Sequence, residues 1–375
     1  MDLSGKLTLQ RAAWAASLAA GHARVWGMTG AERLSRIFRR LGLKEEPQSG
    51  AGVVIARADW VCDQSLIAAL AARPLTLLVS PDGAPVAAHV PSDGFEEAAA
   101  ALAAGDVSAP GLATLERLDP AALAYNETLR KREAPVLEPL RPDTVRAVEA
   151  RLFQGSYKGV TDIVTKRLWP LPARIVTRWC ALARITPNQV TLAGLLLAIA
   201  ATFLFWTGQF GWGLALGWVM TFLDTVDGKL ARVTLASSRL GDVMDHGVDL
   251  IHPPFWWWAW WVGVQQGPHP LPWADAMLAV VLVGYVAQRV LEGLFIQRFG
   301  IHMHAWRPID SAFREITARR NPNLILLTVA VLAGRPDLGF AAVTAWTALS
   351  FLVHLAQLGQ AWATPRERVT SWLAR

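Results

Sequence analysis

The sequence predicts an α-helical integral membrane protein with six transmembrane helices, an amphipathic surface helix before them and a soluble α/β domain at the N-terminus. The first observation behind this fold class is composition: the 375 residues are 53% hydrophobic and only 18% charged, and 18 of them are tryptophan. Soluble domains are usually less apolar and more charged. The second observation is that the apolar runs long enough to cross a bilayer all lie beyond about residue 185. The third is that basic residues concentrate in alternate links between those runs.

The segment 1–140 has the pattern of a soluble α/β domain. Strand-like apolar runs at Val53–Ala56 and Leu75–Val79 alternate with helical stretches at 29–42 and 64–72. This alternation favours helices layered on a sheet that is at least partly parallel. The segment has no glycine-rich loop of the common phosphate-binding patterns.

Basic and apolar residues alternate in the next segment, 141–185, which predicts a juxtamembrane linker and one amphipathic helix on the membrane surface. The segment 186–363 then holds six apolar stretches, and the fifth is short enough that we expect it to continue from an amphipathic helix before it. An aromatic cluster at 255–261 predicts an interfacial belt. The six predicted spans are 189–207, 212–231, 241–264, 274–296, 321–334 and 338–361.

The distribution of basic residues predicts the orientation of these spans. The segment before the first span, the links after the second and fourth spans, and the tail 364–375 are rich in Lys and Arg. The three remaining links contain almost no Lys or Arg, with only Arg335 in the last of them. By the positive-inside rule, both termini and the link after the second span lie on the cytoplasmic side. The pattern is that of a bacterial inner-membrane protein.

The net charge of +6 would also suit a nucleic-acid-binding protein. The arginine clusters flank apolar runs, however, as they do at anionic bilayer surfaces, so we predict no nucleic acid partner. The two cysteines, Cys62 and Cys180, cannot form a disulfide framework and are expected to be free thiols. We also predict no signal peptide, because the N-terminus lacks an apolar core followed by a small-residue cleavage site.

Four aspartates, Asp224, Asp227, Asp245 and Asp249, occur inside these apolar stretches, where acidic groups carry a large desolvation cost. Spacings of three and four residues put each pair on one face of a helix. If the two faces pack together, the four carboxylates repel one another unless cations neutralise them. Hard oxygen ligands of this kind suit Mg²⁺ or Mn²⁺, so the pattern predicts a metal site. A polar helix seam, an ion pathway or a non-catalytic cation-binding membrane protein is the alternative interpretation.

The residues from Asp224 to Asp249 resemble the signature of the CDP-alcohol phosphatidyltransferase family, D-x2-D-G-x2-A-R-x8-G-x3-D-x3-D, at every fixed position. The resemblance covers about residues 150–365 and includes Thr186-Pro187-Asn188 at the start of the first span. It implies an enzyme that transfers a phosphoalcohol group, such as phosphatidyl, from a CDP-linked donor to an alcohol acceptor and releases CMP. Such reactions belong to the biosynthesis of phospholipids and related phosphodiesters.

The resemblance also implies roles for individual residues. Asp224, Asp227 and Asp245 would be the principal ligands of two Mg²⁺ or Mn²⁺ ions, and Asp249 would be the catalytic base and touch one ion as well. The nucleotide would lie against positions with small side chains and against polar groups that pair with it. These cofactor-binding positions are Asn188, Gly228, Ala231, Arg232 and Gly241.

Arg289, Arg319 and Arg320 lie near the cytoplasmic ends of the fourth and fifth spans and are candidates for binding the acceptor. They suit an acceptor that carries a phosphate, such as inositol phosphate, or another polyol. The alternative is that they only snorkel to the membrane surface and obey the positive-inside bias. Membrane lipids are further expected partners, and a homodimer is possible because such relatives commonly dimerise.

The N-terminal segment carries a second resemblance. Gly27–Arg33 and Val53–Asp59 are similar to fragments of the sugar-nucleotide type of nucleotidyltransferase fold, without its glycine-rich nucleotide loop. We therefore expect a shortened, inactive relative of that fold over 1–140. The alternative is a bifunctional enzyme whose cytidylyltransferase domain makes the CDP-alcohol that the membrane domain consumes.

Overall fold

The computed structural model describes residues 11–18, 21–48, 50–236 and 239–374, with the side chains of residues 239, 240, 242 and 244–246 outside the description. Most of the described residues are helical. A mixed sheet lies in the first part of the chain, and long apolar helices make up the rest.

The sheet in the first part of the chain has five strands in the order β1-β4-β7-β6-β8. Its two outer pairs, β1 with β4 and β6 with β8, are parallel, and the inner pairs are antiparallel. The predicted strands Val53–Ala56 and Leu75–Val79 correspond to β4 and β6. The described strands are β1 (Trp14–Leu18), β2 (Arg24–Val25), β3 (Met28–Thr29), β4 (Gly52–Arg57), β5 (Trp60–Cys62), β6 (Thr76–Val79), β7 (Pro85–Pro91), β8 (Glu116–Leu118), β9 (Tyr125–Asn126), β10 (Lys131–Arg132) and β11 (Leu137–Pro139).

Four helices accompany this sheet: α1 (Gly30–Leu41), α2 (Gln64–Ala72), α3 (Phe95–Ala104) and α4 (Pro110–Ala113). The helical stretches predicted at 29–42 and 64–72 are α1 and α2. Thr29 starts α1 with a capping box, in which its hydroxyl accepts from the Glu32 amide and the Glu32 carboxylate accepts from the Thr29 amide. The buried face of α1 contains Leu34, Ile37 and Phe38, so this helix is anchored in the core of the sheet.

The amphipathic pattern predicted within 141–185 is divided between two helices. The segment forms two helices, α5 (Val145–Gly155) and α6 (Pro170–Leu182), with a π turn at Val164–Leu168 between them. Gly155 and Pro170 explain the interruption, because glycine weakens a helix and proline favours the first turn of a new one. The α6 helix buries Ala173, Thr177 and Cys180, while Leu171, Ile175 and Trp179 are exposed on the outer face.

A helix lies at each of the six positions where a span is predicted. Among the described residues, three of these helices are long and apolar enough to cross a membrane, namely α7, α10 and α13. The short fifth stretch forms a helix separate from the amphipathic helix before it, because residues 317–319 leave helical geometry, so the predicted continuity is wrong. The helices are α7 (Pro187–Trp206), α8 (Phe210–Val233), α9 (Arg239–Gln265), α10 (Ala274–Phe299), α11 (Pro308–Ile316), α12 (Arg320–Leu332) and α13 (Pro336–Trp362).

The aromatic cluster of α9 divides between two faces of the helix, so the predicted interfacial belt is wrong for part of it. Trp256 and Trp260 are fully buried, whereas Phe255 and Trp258 are exposed. Residues four apart share a helix face, so Trp256 and Trp260 point together into the bundle. The indole of Trp256 donates to the Ala198 carbonyl of α7 at 3.0 Å. These side chains pack α9 against its neighbours.

Candidate active site

A cavity of about 750 Å³ brings most of the predicted site residues together. Its lining combines the aspartate motif on α8 and α9, the start of α7 and the basic residues near α10 and α12. Asp224 is outside the lining but is linked to it through Arg320, and the side chain of Asp245 lies outside the described residues. The predicted residues in the lining are Asn188, Asp227, Gly228, Ala231, Arg232, Gly241, Asp249, Arg289, Arg319 and Arg320.

Arg320, the first residue of α12, bridges the two halves of the aspartate motif. One terminal nitrogen donates to Oδ1 of Asp249 at 2.6 Å, and the other donates to Oδ2 of Asp224 at 2.5 Å. The Arg320 side chain is mostly buried, and charge-assisted hydrogen bonds of this kind are strong and directional. Arg320 thus holds α8, α9 and α12 together at the site.

Asp227 is buried and held from two sides. The Thr191 hydroxyl on α7 donates to Oδ2 of Asp227 at 2.7 Å, and the backbone amide of Gly228 donates to Oδ1. Thr191 is not among the predicted site residues. Its position three residues after Asn188 puts both on one face of α7, which was the available signal.

A group of basic side chains also lines the cavity. Arg289 on α10, Arg314 on α11 and Arg319 all line it. Glu292 on α10 accepts from Arg319 and lies 3.6 Å from Arg289. Nη1 of Arg314 is buried and has no hydrogen-bond partner among the described residues. Burial, together with the neighbouring Arg319, holds the pKa of Arg314 well below its usual value.

Arg314 is not among the predicted site residues, since in the sequence it is one of several basic residues in the link after the fourth predicted span. Its guanidinium is a donor enclosed beside two other cations, and its unbonded Nη1 suits an anion in the cavity. The arrangement therefore favours a ligand with a negatively charged group at this end of the cavity.

A second group that could hold a metal ion lies beside these arginines. In the part of the chain that the structure describes, Glu292, His304 and His354 form a group whose ligand atoms all lie within 4.8 Å of one another. Burial lowers the pKa of His304 to about 3, so its ring is neutral near pH 7. The Glu292 carboxylate already accepts from Arg319, which makes an added cation electrostatically unfavourable here. We interpret the group as a structural contact, in which His304 hydrogen-bonds to Glu292 on α10 and its ring packs against that of His354 on α13.

Residues outside the helical bundle complete the cavity wall. Thr128 and Leu129, which lie between β9 and β10, are part of the lining, as are Lys158 and Asp162. The Gly159 amide donates to the Leu129 carbonyl at 2.8 Å, and a Cβ on Gly159 would lie 2.3 Å from the Arg130 carbonyl oxygen. Only glycine therefore allows this close approach without a shift of the backbone.

Asp162 fixes the turn that leads to the cavity wall. Its carboxylate accepts from the Thr165 amide and hydroxyl and from the Asn321 side chain on α12. Burial raises the pKa of Asp162, but these hydrogen bonds and the positive charge of Arg314 together more than offset it, so its pKa is lower than usual. The contact with Asn321 ties the turn to the start of α12, next to Arg320.

Comparison with known proteins relates the helical part of the chain to one family. Residues 184–354 match the family model described as CDP-alcohol phosphatidyltransferase. The chain carries a CDP-alcohol phosphatidyltransferase domain. The matched residues include α7 to α10 and contain the whole aspartate motif. With the three long apolar helices, this family assignment makes the chain an integral membrane protein.

Similar curated proteins fall into two groups. The chain is 32% identical over 142 residues to Cholinephosphotransferase 1 of Xenopus laevis, and the aligned segment covers 33% of this chain and 33% of that one. It is 30% identical over 146 residues to Cholinephosphotransferase 1 of Gallus gallus, covering 35% of this chain and 41% of that one. It is 31% identical over 112 residues to the Phosphatidylinositol phosphate synthase of Mycobacteroides abscessus, covering 28% of this chain and 51% of that one. The chain thus spans only about a third to a half of the length of these relatives.

Proposed function

We propose that this protein is a membrane enzyme that transfers a phosphoalcohol group from a CDP-linked donor to an alcohol acceptor and releases CMP. Its role would lie in the synthesis of phospholipids or related phosphodiesters. The observation that carries the proposal is the cavity, because positions of the phosphatidyltransferase motif on α8 and α9 line it together with the start of α7. Its volume of about 750 Å³ falls in the range of small-molecule sites.

In the proposed reaction, the acceptor oxygen bonds to the β-phosphorus of the donor while the bond from that phosphorus to the bridging oxygen breaks. CMP leaves with the bridging oxygen and with additional negative charge. Asp249 takes the proton of the acceptor hydroxyl, since its carboxylate faces the cavity and Arg320 orients it. Arg232 pairs with phosphate oxygens of the donor, and Gly228 and Gly241 allow the nucleotide to approach the backbone.

The same proposal assigns two divalent cations to Asp224, Asp227, Asp245 and Asp249, with Asp249 both base and ligand. The described donor atoms fit Mg²⁺ or Mn²⁺, because carboxylate oxygens are the ligands that these ions prefer. The charges also fit, since Arg320 supplies a single positive charge to Asp224 and Asp249. When bound, the cations would neutralise charge that develops on the diphosphate. The Glu292, His304 and His354 group fits less well, since imidazole suits Zn²⁺ and Arg319 is already bonded to Glu292.

For the acceptor we propose an alcohol that carries a phosphate, of which inositol phosphate is one example. Arg289, Arg314 and Arg319 support this choice, because three guanidinium groups at one end of a cavity match a phosphate dianion. The name of the mycobacterial relative is consistent with it. Transfer of phosphocholine is the second candidate, and the names of the frog and chicken relatives favour it.

The proposed membrane arrangement has six spans, α7, α8, α9, α10, α12 and α13, with both termini and the active site on the cytoplasmic side. The alternation of basic and bare links supports this arrangement. Exposed apolar residues on α6, such as Trp179, support a surface position for that helix. Cysteine labelling of intact cells at residue 268, in a bare link, and at residue 370, in the tail, would test it. Labelling of the tail from outside would contradict the proposed orientation.

We further propose that the segment 1–140 is a nucleotidyltransferase-like domain without its own activity. If the enzyme were bifunctional instead, the full chain would release pyrophosphate from CTP and a phosphorylated alcohol. The Asp249→Asn variant should then still release pyrophosphate while failing to release CMP. Absence of pyrophosphate from both proteins supports the inactive interpretation.

The central test is CMP release by the purified full chain in nanodiscs, with Mg²⁺ or Mn²⁺ and a panel of CDP-linked donors. Each donor is paired with matched acceptors that differ only in a phosphate group. We expect CMP only with a divalent cation, faster release with the phosphorylated acceptor, and loss of activity in Asp249→Asn. Asp275→Asn, at the exposed start of α10, is the matched control and should retain activity.

Two outcomes would defeat the proposed reaction: no donor and acceptor pair yields CMP, or Asp249→Asn releases it as fast as the unchanged protein. Manganese uptake into proteoliposomes that is insensitive to CMP would instead support a cation carrier. For the acceptor, Arg314→Ala should raise KM for the phosphorylated alcohol by about tenfold or more and leave the donor KM nearly unchanged. Equal effects on both substrates would count against a phosphate site at Arg314.

A further inference from the structure

The end of α8 has an unusual backbone conformation for its sequence. The Leu235 amide donates to the Arg232 carbonyl and the Ala236 amide donates to the Ala231 carbonyl, the pattern that closes many helices. That pattern requires a left-handed residue, and Leu235 supplies it with φ of 53°. Glycine usually occupies this position because a side chain is unfavourable there. Something outside the helix therefore has to favour leucine.

The Leu235 side chain is buried in the core of the N-terminal sheet domain and not among the apolar helices. Only 9% of Leu235 is exposed, and it belongs to the same buried cluster as Leu34, Phe38 and Trp60. Burial of a leucine in an apolar core is favourable. The link that follows α8 is thus docked into the N-terminal domain by a side chain whose backbone would otherwise prefer glycine.

Two arginines of α1 also bond to the C-terminal end of α8. Arg33 donates to the Val233 carbonyl at 3.0 Å, and Arg36 donates to the Thr234 carbonyl at 2.6 Å. The last carbonyls of a helix have no partner within the helix, and positive charge stabilises that end. Arg33 is itself buried, so its contact with Val233 is shielded from water. The N-terminal domain thereby supplies the cap of the helix that carries Asp224 and Asp227.

We propose that Arg33, Arg36 and Leu235 are positioning residues through which the N-terminal domain sets the geometry of the aspartate motif. The link they hold joins the motif half on α8, which ends at Arg232, to the half that begins at Gly241. Both halves have to converge on one cavity, so the position and direction of the chain after Val233 decide whether they do. In its catalytic consequence, the inference rests on the proposed function. It gives the N-terminal domain a role at the site that requires no activity of its own.

Four variants of the full chain test the proposal: Arg36→Ala, Arg36→Lys, Leu235→Gly and the control Arg39→Ala. Arg39 lies on the exposed side of α1. The first readout is hydrogen exchange of the amides at 231–236 without added metal. The second is the Mn²⁺ concentration that gives half-maximal CMP release, measured together with kcat and KM.

We expect Arg36→Ala and Leu235→Gly to accelerate exchange at 231–236 and to raise the half-saturating Mn²⁺ concentration about tenfold, an effect typical of coupling between sites. Leu235→Gly is informative because glycine adopts the left-handed conformation without strain, so the substitution removes only the docked side chain. Arg36→Lys should restore part of the effect, since one amine can still donate to the Thr234 carbonyl. Arg39→Ala should match the unchanged protein.

The inference is overturned if Arg36→Ala and Leu235→Gly match Arg39→Ala in both exchange and Mn²⁺ dependence. If exchange rises but Mn²⁺ dependence and kcat are unchanged, the contacts are structural only and the positioning role is also overturned. Failure of the proposed function looks different, because the unchanged protein would then release no CMP with any substrate pair. In that case, Mn²⁺-induced protection of the motif amides against exchange still distinguishes the variants from the control.

Discussion

Arg320 donates a hydrogen bond of 2.6 Å to Asp249, so the first residue of α12 holds the proposed catalytic base on α9. The other terminal nitrogen of the same guanidinium reaches Asp224 on α8. In sequence, these partners are 71 and 96 residues from Arg320. The geometry of the site therefore depends on the packing of three helices as well as on the motif itself.

Replacement of Arg320 should disturb both halves of the motif at once. We expect Arg320→Ala to lower kcat/KM for CMP release by about 100-fold, because misplacement of catalytic groups by about 1 Å has effects of that size. Arg320→Lys should recover little, since one ammonium nitrogen cannot take the positions of two guanidinium nitrogens that donate to different carboxylates. CMP release at saturating Mn²⁺ measures the effect.

The control for Arg320 is Arg298→Ala, at the exposed C-terminal end of α10, which should change kcat/KM less than twofold. Thermal unfolding of both variants checks that they are folded. If Arg320→Ala retains full activity at every Mn²⁺ concentration, the bridge has no catalytic importance.

We expect Thr191 to affect metal binding through its hydrogen bond to Asp227. Thr191→Val keeps the shape of the side chain but removes the hydroxyl that donates to Oδ2 at 2.7 Å. Loss of a group that orients a metal-binding residue typically costs about 10 to 100-fold in metal affinity or activity, so we expect the half-saturating Mn²⁺ concentration to rise accordingly. Titration of CMP release with Mn²⁺ gives this value.

Thr202→Val on the same helix is the matched control, because among the described residues the Thr202 hydroxyl donates to the Ala198 carbonyl of its own helix. It should leave the Mn²⁺ titration unchanged. Equal shifts in the two variants would mean that the hydroxyl acts through helix stability and not through Asp227.

The spacing of the aspartates predicts one helix face for each pair, because residues three or four apart lie on one face whatever the rest of the fold does. Of the four, Asp227 and Asp249 line the cavity. Spacing places Thr191 on the same face of α7 as Asn188 but does not indicate its partner, and Arg314 has no such signal. Their contacts join segments far apart in the chain, and only the packed helices bring Thr191 to Asp227. The docking of Leu235 into the sheet domain is a long-range contact of the same kind.

The tryptophans of α9 show a different limit. Composition predicts an interfacial belt equally well for buried and exposed indoles, but the face of the helix decides the outcome, and Trp256 and Trp260 face the bundle. The helix boundaries near 155–170 were missed because a continuous amphipathic pattern concealed the breaks at Gly155 and Pro170. The apolar pattern thus predicted the positions of the helices better than the contacts that their side chains make.

Stability should fall as the pH drops from 7 to 5, in part because of His304. Burial lowers the pKa of His304 to about 3 in the folded protein, against about 6.5 in an unfolded chain. Below about pH 6.5 the unfolded state binds a proton that the folded state does not, so the free energy of unfolding decreases until the pH reaches the folded value. His304→Gln should therefore show a shallower loss of stability between pH 7 and 5.

Thermal unfolding in detergent over this pH range measures the slope. His22→Gln is the control, since His22 is exposed, and its slope should match that of the unchanged protein. A His304→Gln slope as steep as the control would show that His304 does not contribute to the acid sensitivity.

Two glycine substitutions should have opposite effects on stability. A Cβ at Gly263 on α9 would lie 2.2 Å from the Phe205 carbonyl oxygen of α7, so Gly263→Ala has to push the two helices apart. Overpacking of this kind costs about 1 to 3 kcal/mol. Gly293 on α10 has nothing within 4 Å of an added Cβ, so Gly293→Ala should stabilise by about 0.5 to 1 kcal/mol through helix propensity. Thermal unfolding of both variants measures the difference.

The same pair separates stability from catalysis. Gly263 is 14 residues after Asp249 on α9, about 21 Å along the helix, so Gly263→Ala should leave the Mn²⁺ dependence of CMP release nearly unchanged at a temperature where the variant is folded. A large rise in the Mn²⁺ requirement would instead mean that displacement at the far end of α7 and α9 reaches the aspartates. In that case the two helices move as rigid units, and the contact between Gly263 and Phe205 belongs to the determinants of the site.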